Sequence, residues 1–324
     1  PDADPFVLEA LVVTDQLSRA PQLPAGVDRQ AVKLAWEFWT DSKVEFLREL
    51  KAIGTKARGV EFHVFANTTA YSKGAYEPGR VGAVASFNQS EENGGETGAH
   101  SGRVPAEIAA RTGITHNRRA FEYKYYQSFG RGMRLGLLTR PGTDASAVTR
   151  AALDQNALTA ELSLAEAAAF GGGYKLDLRW DGARLIRTWR AFFAEHAGLF
   201  RDTDIWAPIG VIAFGEQFFC GLDKAHQEAV RDLSNALLER GVLFDLVHED
   251  NLSLAHLQKF RAIIVPRGVR SLSAAQLEIF RRCAAARRGS VLIIGDDFAS
   301  FDERCRPRPA ARRGVAAAQS LARD

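Results

Sequence analysis

The run AFEYKYYQSFGRGMR, residues 120–134, sets Glu122 and Lys124 among Phe121, Tyr123, Tyr125 and Tyr126. A carboxylate ringed by aromatic side chains suits a sugar site. Flat rings stack on pyranose faces, tyrosine hydroxyls orient the acid, and a carboxyl group can protonate, deprotonate or attack at a glycosidic carbon. The same residues also allow a structural ion pair between Glu122 and Lys124 or a neighbouring arginine. If the run is a strand, alternation puts Glu122, Lys124 and Tyr126 on one face. A second acidic group follows VGAVASFNQS, where Glu91 and Glu92 open a glycine-containing stretch that also holds Glu96 and His100. Such a stretch can form the mouth of a cleft, or can simply be solvated. His63, Asn67, Lys175 and Asp177 complete the polar residues expected at strand ends, where a pocket could collect them.

These residues need elements to hold them. Val32, Trp36, Trp39, Phe46 and Leu50 recur at helical offsets, and Ser42 with Glu45 forms a capping-box pattern that allows a break near Thr40. Residues 59–69, 81–96, 120–128 and 171–178 each read as a strand, and those around Glu91 and Asn67 end in small polar residues. Leu162, Ala165 and Ala169 give an apolar helical stripe closed by glycines. Strands alternating with helices imply a parallel α/β arrangement. The GGGYK at 171–175 precedes a strand, whereas a phosphate loop precedes a helix, so no phosphate site is expected there.

A second module follows LIRTWRAFFAEHAGLFRDTD, a helix striped with Trp and Phe. APIGVIAF, LFDLVHED, FRAIIVP and SVLIIGD read as buried strands, separated by helices that end at Gly241 and Gly289. Continuous Val, Ile and Leu runs of this kind predict a doubly wound parallel sheet covered on both faces, with strands near 209–214, 243–247, 261–265 and 291–295.

Of 324 residues, 25% are charged and 46% apolar, and the net charge is only +3. That excludes a disordered profile and a strongly basic nucleic-acid binder. The arginine-rich end, RCRPRPAARRG, reads as a solvated tail, and residues 305–324 are expected to be disordered. No apolar stretch is long enough to read as a membrane span, and no signal-peptide pattern is legible at Pro1. A cytoplasmic location is the favoured expectation. Cys220, Cys283 and Cys305 lie far apart in sequence, so neither a metal site nor a disulfide framework is expected, and no cofactor is implied.

EAAAFGGGYKLDLRW, then TWRAFFAEHAGLF, then IGVIAF, LLERGVLFDLVHED and FRAIIVPRGVRSLSAAQLEIFRRCAAARRGSVLIIGDD together resemble bacterial glycoside hydrolases of the family 42 β-galactosidase type and their hypothetical relatives. The resemblance implies a (β/α)8 (TIM) barrel followed by a flavodoxin-like, class I glutamine-amidotransferase-like domain that serves in oligomerisation. On this reading residues 1–204 are the C-terminal part of the barrel with a linker helix, and 205–304 are the amidotransferase-like domain. Only four strands precede the linker and four cannot close such a barrel, so the chain reads as a fragment. Counting back from the linker makes 120–128 the seventh strand, which carries the nucleophile in that family. Glu122 is thus the nucleophile candidate, with Glu92 and Glu91 as alternatives. His63, Asn67, Lys124, Tyr126, Lys175 and Asp177 would bind substrate, and the acid/base residue would lie upstream of Pro1. The implied partner is carbohydrate, handled by a retaining two-carboxylate mechanism when the barrel is complete. The alternative is a non-catalytic carbohydrate-binding or assembly protein of the same architecture. Amidase chemistry is not expected, because VPRGVRSLS has no cysteine at the turn where amidotransferases carry one, and Cys220 reads as an inert thiol.

Overall fold

The computed structural model describes residues 29–67, 78–85, 87–92, 124–125, 135–139, 164–165, 168–169, 173–176, 183–200, 206–217, 225–286 and 290–309. Helix α1, Arg29–Arg58, opens the described chain and leads to β1, Phe65–Asn67. A short helix α2, Pro78–Gly82, precedes β2, Phe87–Glu92; β3 is Leu135–Thr139 and β4 is Gly173–Leu176. These four strands form one sheet in the order β1-β2-β3-β4, every pair parallel. Each parallel step needs a crossover, so the sheet grows by one strand per unit in a single direction.

Helix α1 runs unbroken through Ser42, and the capping-box pattern there does not interrupt it. Trp36, Thr40, Val44 and Leu47 form its buried stripe, and Val44 and Leu47 cluster with Val81, Val84 and Ala85 around α2. Val81 and Val84, read from sequence as part of a strand, thus serve helix packing, and the strand begins only at Phe87. The strand expected over 120–128 is also corrected. Lys124 and Tyr125 are helical, and the strand that joins β2 to β4 is Leu135–Thr139.

Helix α3, Ala183–Glu195, and a 3-10 turn, Ala197–Phe200, lead to the second sheet. Its strands are β5, Ile209–Ile212; β6, Phe244–Val247; β7, Ala262–Val265; and β8, Ser290–Ile293. All pair in parallel, in the order β6-β5-β7-β8, as the apolar runs predict. Helices α4, Ala225–Glu239, and α6, Ala274–Ala285, with the single turn α5, Leu254–Leu257, cover it. Alternation along β5 feeds both faces: Val211 and Ala213 join one core with Val230, Phe244 and Leu246, while Ile212 and Phe214 join the other with Val247, Leu257, Ile263 and Phe280. Burial on both faces is why these strands read as continuous apolar runs.

The start of the arginine-rich tail is folded onto this unit. Phe301 bridges to Ser271 and to Pro307, and Arg308 donates to the Leu272 carbonyl at 2.5 Å. Cys305 is disulfide-bonded, where the wide spacing of the cysteines gave no expectation of a disulfide framework, while Cys283 is a buried free thiol. Gly268 sits at φ +84°, and a side chain there would start 2.9 Å from the His226 backbone nitrogen. Gly268→Ala is therefore expected to cost about 1–3 kcal/mol through backbone strain and overpacking. Chemical denaturation of the variant and parent measures it.

Candidate functional site

The first sheet sets its polar residues by register. Asn67 of β1 aligns with Gln89 of β2, Gln89 with Gly136 of β3, and Gly136 with Gly173 of β4. Two residues further along, Glu91 aligns with Leu138 and Leu138 with Lys175. Residues aligned across parallel strands, or two apart along one, share a face. Positions 67, 89, 91 and 175 therefore fall on one face, with 67, 91 and 175 at or next to the C-terminal ends of three strands and 89 in the middle of β2. Glu92 aligns with Thr139 and Leu176 on the other face, whose β3 and β4 positions are otherwise Leu135, Leu137 and Tyr174. Register thus puts Glu91 on the face that carries Asn67 and Lys175, and Glu92 on the face that carries Asn88, Ser90 and Thr139. Strand spacing of about 4.8 Å puts the Glu91 and Lys175 positions roughly 10 Å apart, with β3 between them.

The other expected site residues divide. His63 is exposed, two residues before β1. Glu122, Tyr126 and Asp177, like Glu96, His100 and Cys220, lie outside the described residues. The third strand of the sheet is β3, Leu135–Thr139, which carries no carboxylate. Lys124, expected beside substrate, is buried against the second unit: its Nζ donates to the Phe244 carbonyl at 2.6 Å and lies 4.7 Å from the Phe244 ring centre. Burial pushes its amine down from the ordinary lysine value, partly offset by Asp245. Tyr125 beside it is 3% exposed and belongs to the core cluster of Val211, Phe244 and Leu246.

A second cluster, not foreseen from sequence, lies at the C-terminal edge of the second sheet. The strand order changes direction between β5 and β7, the point where open α/β sheets bind ligands. Here the loops after those strands are stitched together. Buried His226 of α4 accepts the Phe214 N–H through Nε2 at 3.0 Å and lies with Nδ1 3.0 Å from the Arg267 carbonyl. The acceptor role of Nε2 places the proton on Nδ1, so the ring is neutral and donates to Arg267. Desolvation drives its pKa down to about 4. Gln217 donates to the Ser271 carbonyl at 2.6 Å and accepts the Ser271 N–H at 2.7 Å.

Beside these bridges stand two glutamates. Glu249 accepts the Glu216 backbone N–H at 2.8 Å, and its other oxygen is 2.6 Å from His248 Nε2. Burial pushes Glu249 upward, yet His248 and the backbone N–H groups of Glu216 and Glu249 outweigh it and hold the carboxyl below the ordinary range. Glu216 is shifted the other way, raised by burial and by the Glu249 charge against the pull of Lys33. Lys33 of α1 reaches Glu216 at 3.1 Å and the Glu303 carbonyl at 2.9 Å. The signal that could have found this cluster is the polar EQ and HED that follow two apolar strands, at the edge where such sheets carry their chemistry.

Among the described residues no group of three or more His, Cys, Asp or Glu side chains is placed to hold a metal ion, and no helix is long and apolar enough to cross a membrane. No family model matches the chain, and no curated protein does. Among solved structures, it is similar to a cold-adapted β-galactosidase from Rahnella sp. R3, with a TM-score of 0.65 at 14% identity. The likeness is one of fold. It covers 89% of this chain and 44% of that one, so the chain spans less than half of the β-galactosidase's length.

Proposed function

We propose that the chain is a carbohydrate-active, glycoside hydrolase-like protein whose first sheet is one half of a (β/α)8 barrel of the family 42 type. Its second sheet is assigned as the flavodoxin-like, amidotransferase-like accessory domain, through which copies of the chain would associate. The observation that carries the reading is the set of positions Asn67, Gln89, Glu91 and Lys175, gathered on one face of a single parallel sheet from β1, β2 and β4. Barrel enzymes build their sites from several strand ends at that edge, and the likeness to a β-galactosidase supports sugar as the ligand. Helix α1 adds support for a half barrel. Leu34, Phe38, Phe46 and Ile53 are exposed beside its buried stripe, where a preceding strand–helix unit would pack.

Glu91 becomes the leading carboxylate, because the strand that motivated Glu122 is absent at Lys124–Tyr125; Glu122 and Glu92 stand behind it. A retaining mechanism needs two carboxyl groups about 5 Å apart, so the second must come from a complementary half. The chain alone is then expected to bind a β-galactoside weakly and to hydrolyse none. Titration calorimetry with a non-hydrolysable thio-β-galactoside, beside an assay with an aryl β-galactoside, tests this. Glu91→Gln should weaken binding on the order of tenfold or more, the worth of one hydrogen bond to a charged group. Unchanged binding in that variant sinks the assignment of Glu91, and absence of any sugar binding sinks the carbohydrate reading.

A further inference from the structure

The two edges of the second sheet are protected unequally. At the β6 edge, Ala213 N–H donates to the Val247 carbonyl, so alternation turns the backbone groups of Phe244 and Leu246 outward, away from β5. Both are occupied: Lys124 donates to the Phe244 carbonyl at 2.6 Å, and the Asp245 carboxylate accepts the Leu246 N–H at 2.8 Å. Charged side chains of this kind keep an edge strand from pairing with another chain. The β8 edge has no such device. Ser290–Ile293 carries no charge and no proline, and among the described residues only β7 pairs with it. Val291 and Ile293 pack into the core, but Leu292 and Ile294 on the opposite face are 55% and 42% exposed.

We propose that the β8 edge joins two copies of this chain across a two-fold axis, strand to antiparallel strand, so that two four-stranded sheets continue as one. This gives a surface to the association of copies proposed above, and it stands on β8 itself. The ladder sets the register. Ile294 N–H donates to the Val265 carbonyl of β7, so Ser290, Leu292 and Ile294 turn their backbone groups inward, while Val291 and Ile293 turn theirs outward. An axis at Leu292 places Val291 opposite Ile293 of the second copy, and the reverse, which pairs every outward N–H and C=O group of the strand. Leu292 then meets Leu292 of the second copy in the closer, non-hydrogen-bonded type of pair, with Cα atoms about 4.5 Å apart. The two exposed leucines cover each other.

Charge favours a second copy over any other strand. Arg287 and Arg288 directly precede β8 in the sequence, and Asp296 and Asp297 follow it closely. Carried outward, the same register sets position 288 opposite 296 and position 287 opposite 297, so the basic end of each strand meets the acidic end of the other. A parallel arrangement of two copies brings like ends together instead. Asp297 is already held by Arg270 at 2.5 Å, whereas Asp296 is exposed. Arg288 and Asp296 are therefore the pair on which orientation depends.

One short strand makes a small interface, so the dimer is expected to be weak, with a Kd on the order of micromolar or above. Sedimentation equilibrium of the full chain from about 5 to about 500 µM brackets such an affinity, and the mass should rise from 35.5 kDa toward twice that value. Leu292→Lys sets two cations against each other at the axis and should leave a monomer throughout the range. Its site is exposed, so thermal unfolding of the variant in dilute solution should match the parent. Asp296→Arg and Arg288→Asp should each weaken association by about tenfold, because the two-fold repeats every like-charge pair, and the double exchange should restore it. The proposal is overturned if the parent stays monomeric at the highest concentration, if association survives Leu292→Lys, or if the double exchange rescues neither single change. Association that survives Leu292→Lys would remove β8 while leaving copies that associate elsewhere, and no readout here involves sugar, so the carbohydrate reading stands or falls by its own test.

Discussion

Tyr125→Ala is expected to destabilise the second unit by about 3–5 kcal/mol, the range for truncating a buried large aromatic. The residue comes from a stretch of two described helical residues between β2 and β3, yet it is 3% exposed inside the core formed by Val211, Ala213, Val230, Phe244 and Leu246. Its hydroxyl and His248 Nε2 both lie within about 3.6 Å of where a side chain at Gly215 would begin, and the Tyr125 and His248 rings meet edge to face at 6.4 Å. Truncation therefore opens a cavity on the β5–β6 face, beside a buried Lys124 ammonium that relies on the same packing to hold its bond to the Phe244 carbonyl. Tyr125→Phe keeps the ring and removes only the hydroxyl, so it should cost no more than about 1 kcal/mol. Urea unfolding followed by circular dichroism separates the two. A loss below about 1 kcal/mol for Tyr125→Ala would show that the ring is not seated in this core.

Lys124 and Tyr125 also show where sequence reading stops. AFEYKYYQS has the aromatic density of a strand and alternates plausibly, so local pattern places it in the first sheet. What decides its structure is a distant partner, the Phe244 carbonyl and the β5–β6 core, about which a local window holds no information. LGLLT, by contrast, is short and has glycine as its second residue, so its pattern is weak, and only pairing with β2 and β4 makes it a strand. The second sheet was legible for the opposite reason. Its strands are buried on both faces, and a run such as IGVI or AIIV followed by a helix that stops at glycine has few other solutions. The disulfide at Cys305 was hidden because sequence separation says nothing of distance once the chain folds back through Phe301 and Arg308. Of the candidate site, residue types at strand ends could be read directly, but not their faces. A one-residue shift of register exchanges Glu91 for Glu92, and only the ladder through Leu138 to Lys175 fixes which of them shares a face with Asn67 and Lys175.

Acid should unfold the second unit through His226, and removing that imidazole should remove much of the acid response. Folded, the ring is buried and neutral, accepting from Phe214 N–H and donating to the Arg267 carbonyl, with a pKa driven down to about 4 by desolvation. Unfolded, an ordinary histidine titrates near 6.5. Between those values the unfolded chain binds the extra proton, so stability rises with pH across the window and is lost as pH falls through it. A gap of this size corresponds to roughly 3 kcal/mol, complete only near pH 4. His226→Gln removes the titrating group and can keep at most part of the bridge, so it should be less stable than the parent at pH 7, by about 1–3 kcal/mol for a buried donor or acceptor left unmatched. Its stability should nevertheless fall less steeply between pH 6.5 and 4, and the two curves should converge toward the acid end. Carboxylates such as Glu249 titrate in both proteins and set the slope that remains. Equilibrium urea unfolding at half-unit pH steps is the measurement, and parallel curves for parent and variant would mean that the imidazole is not held neutral between the two loops.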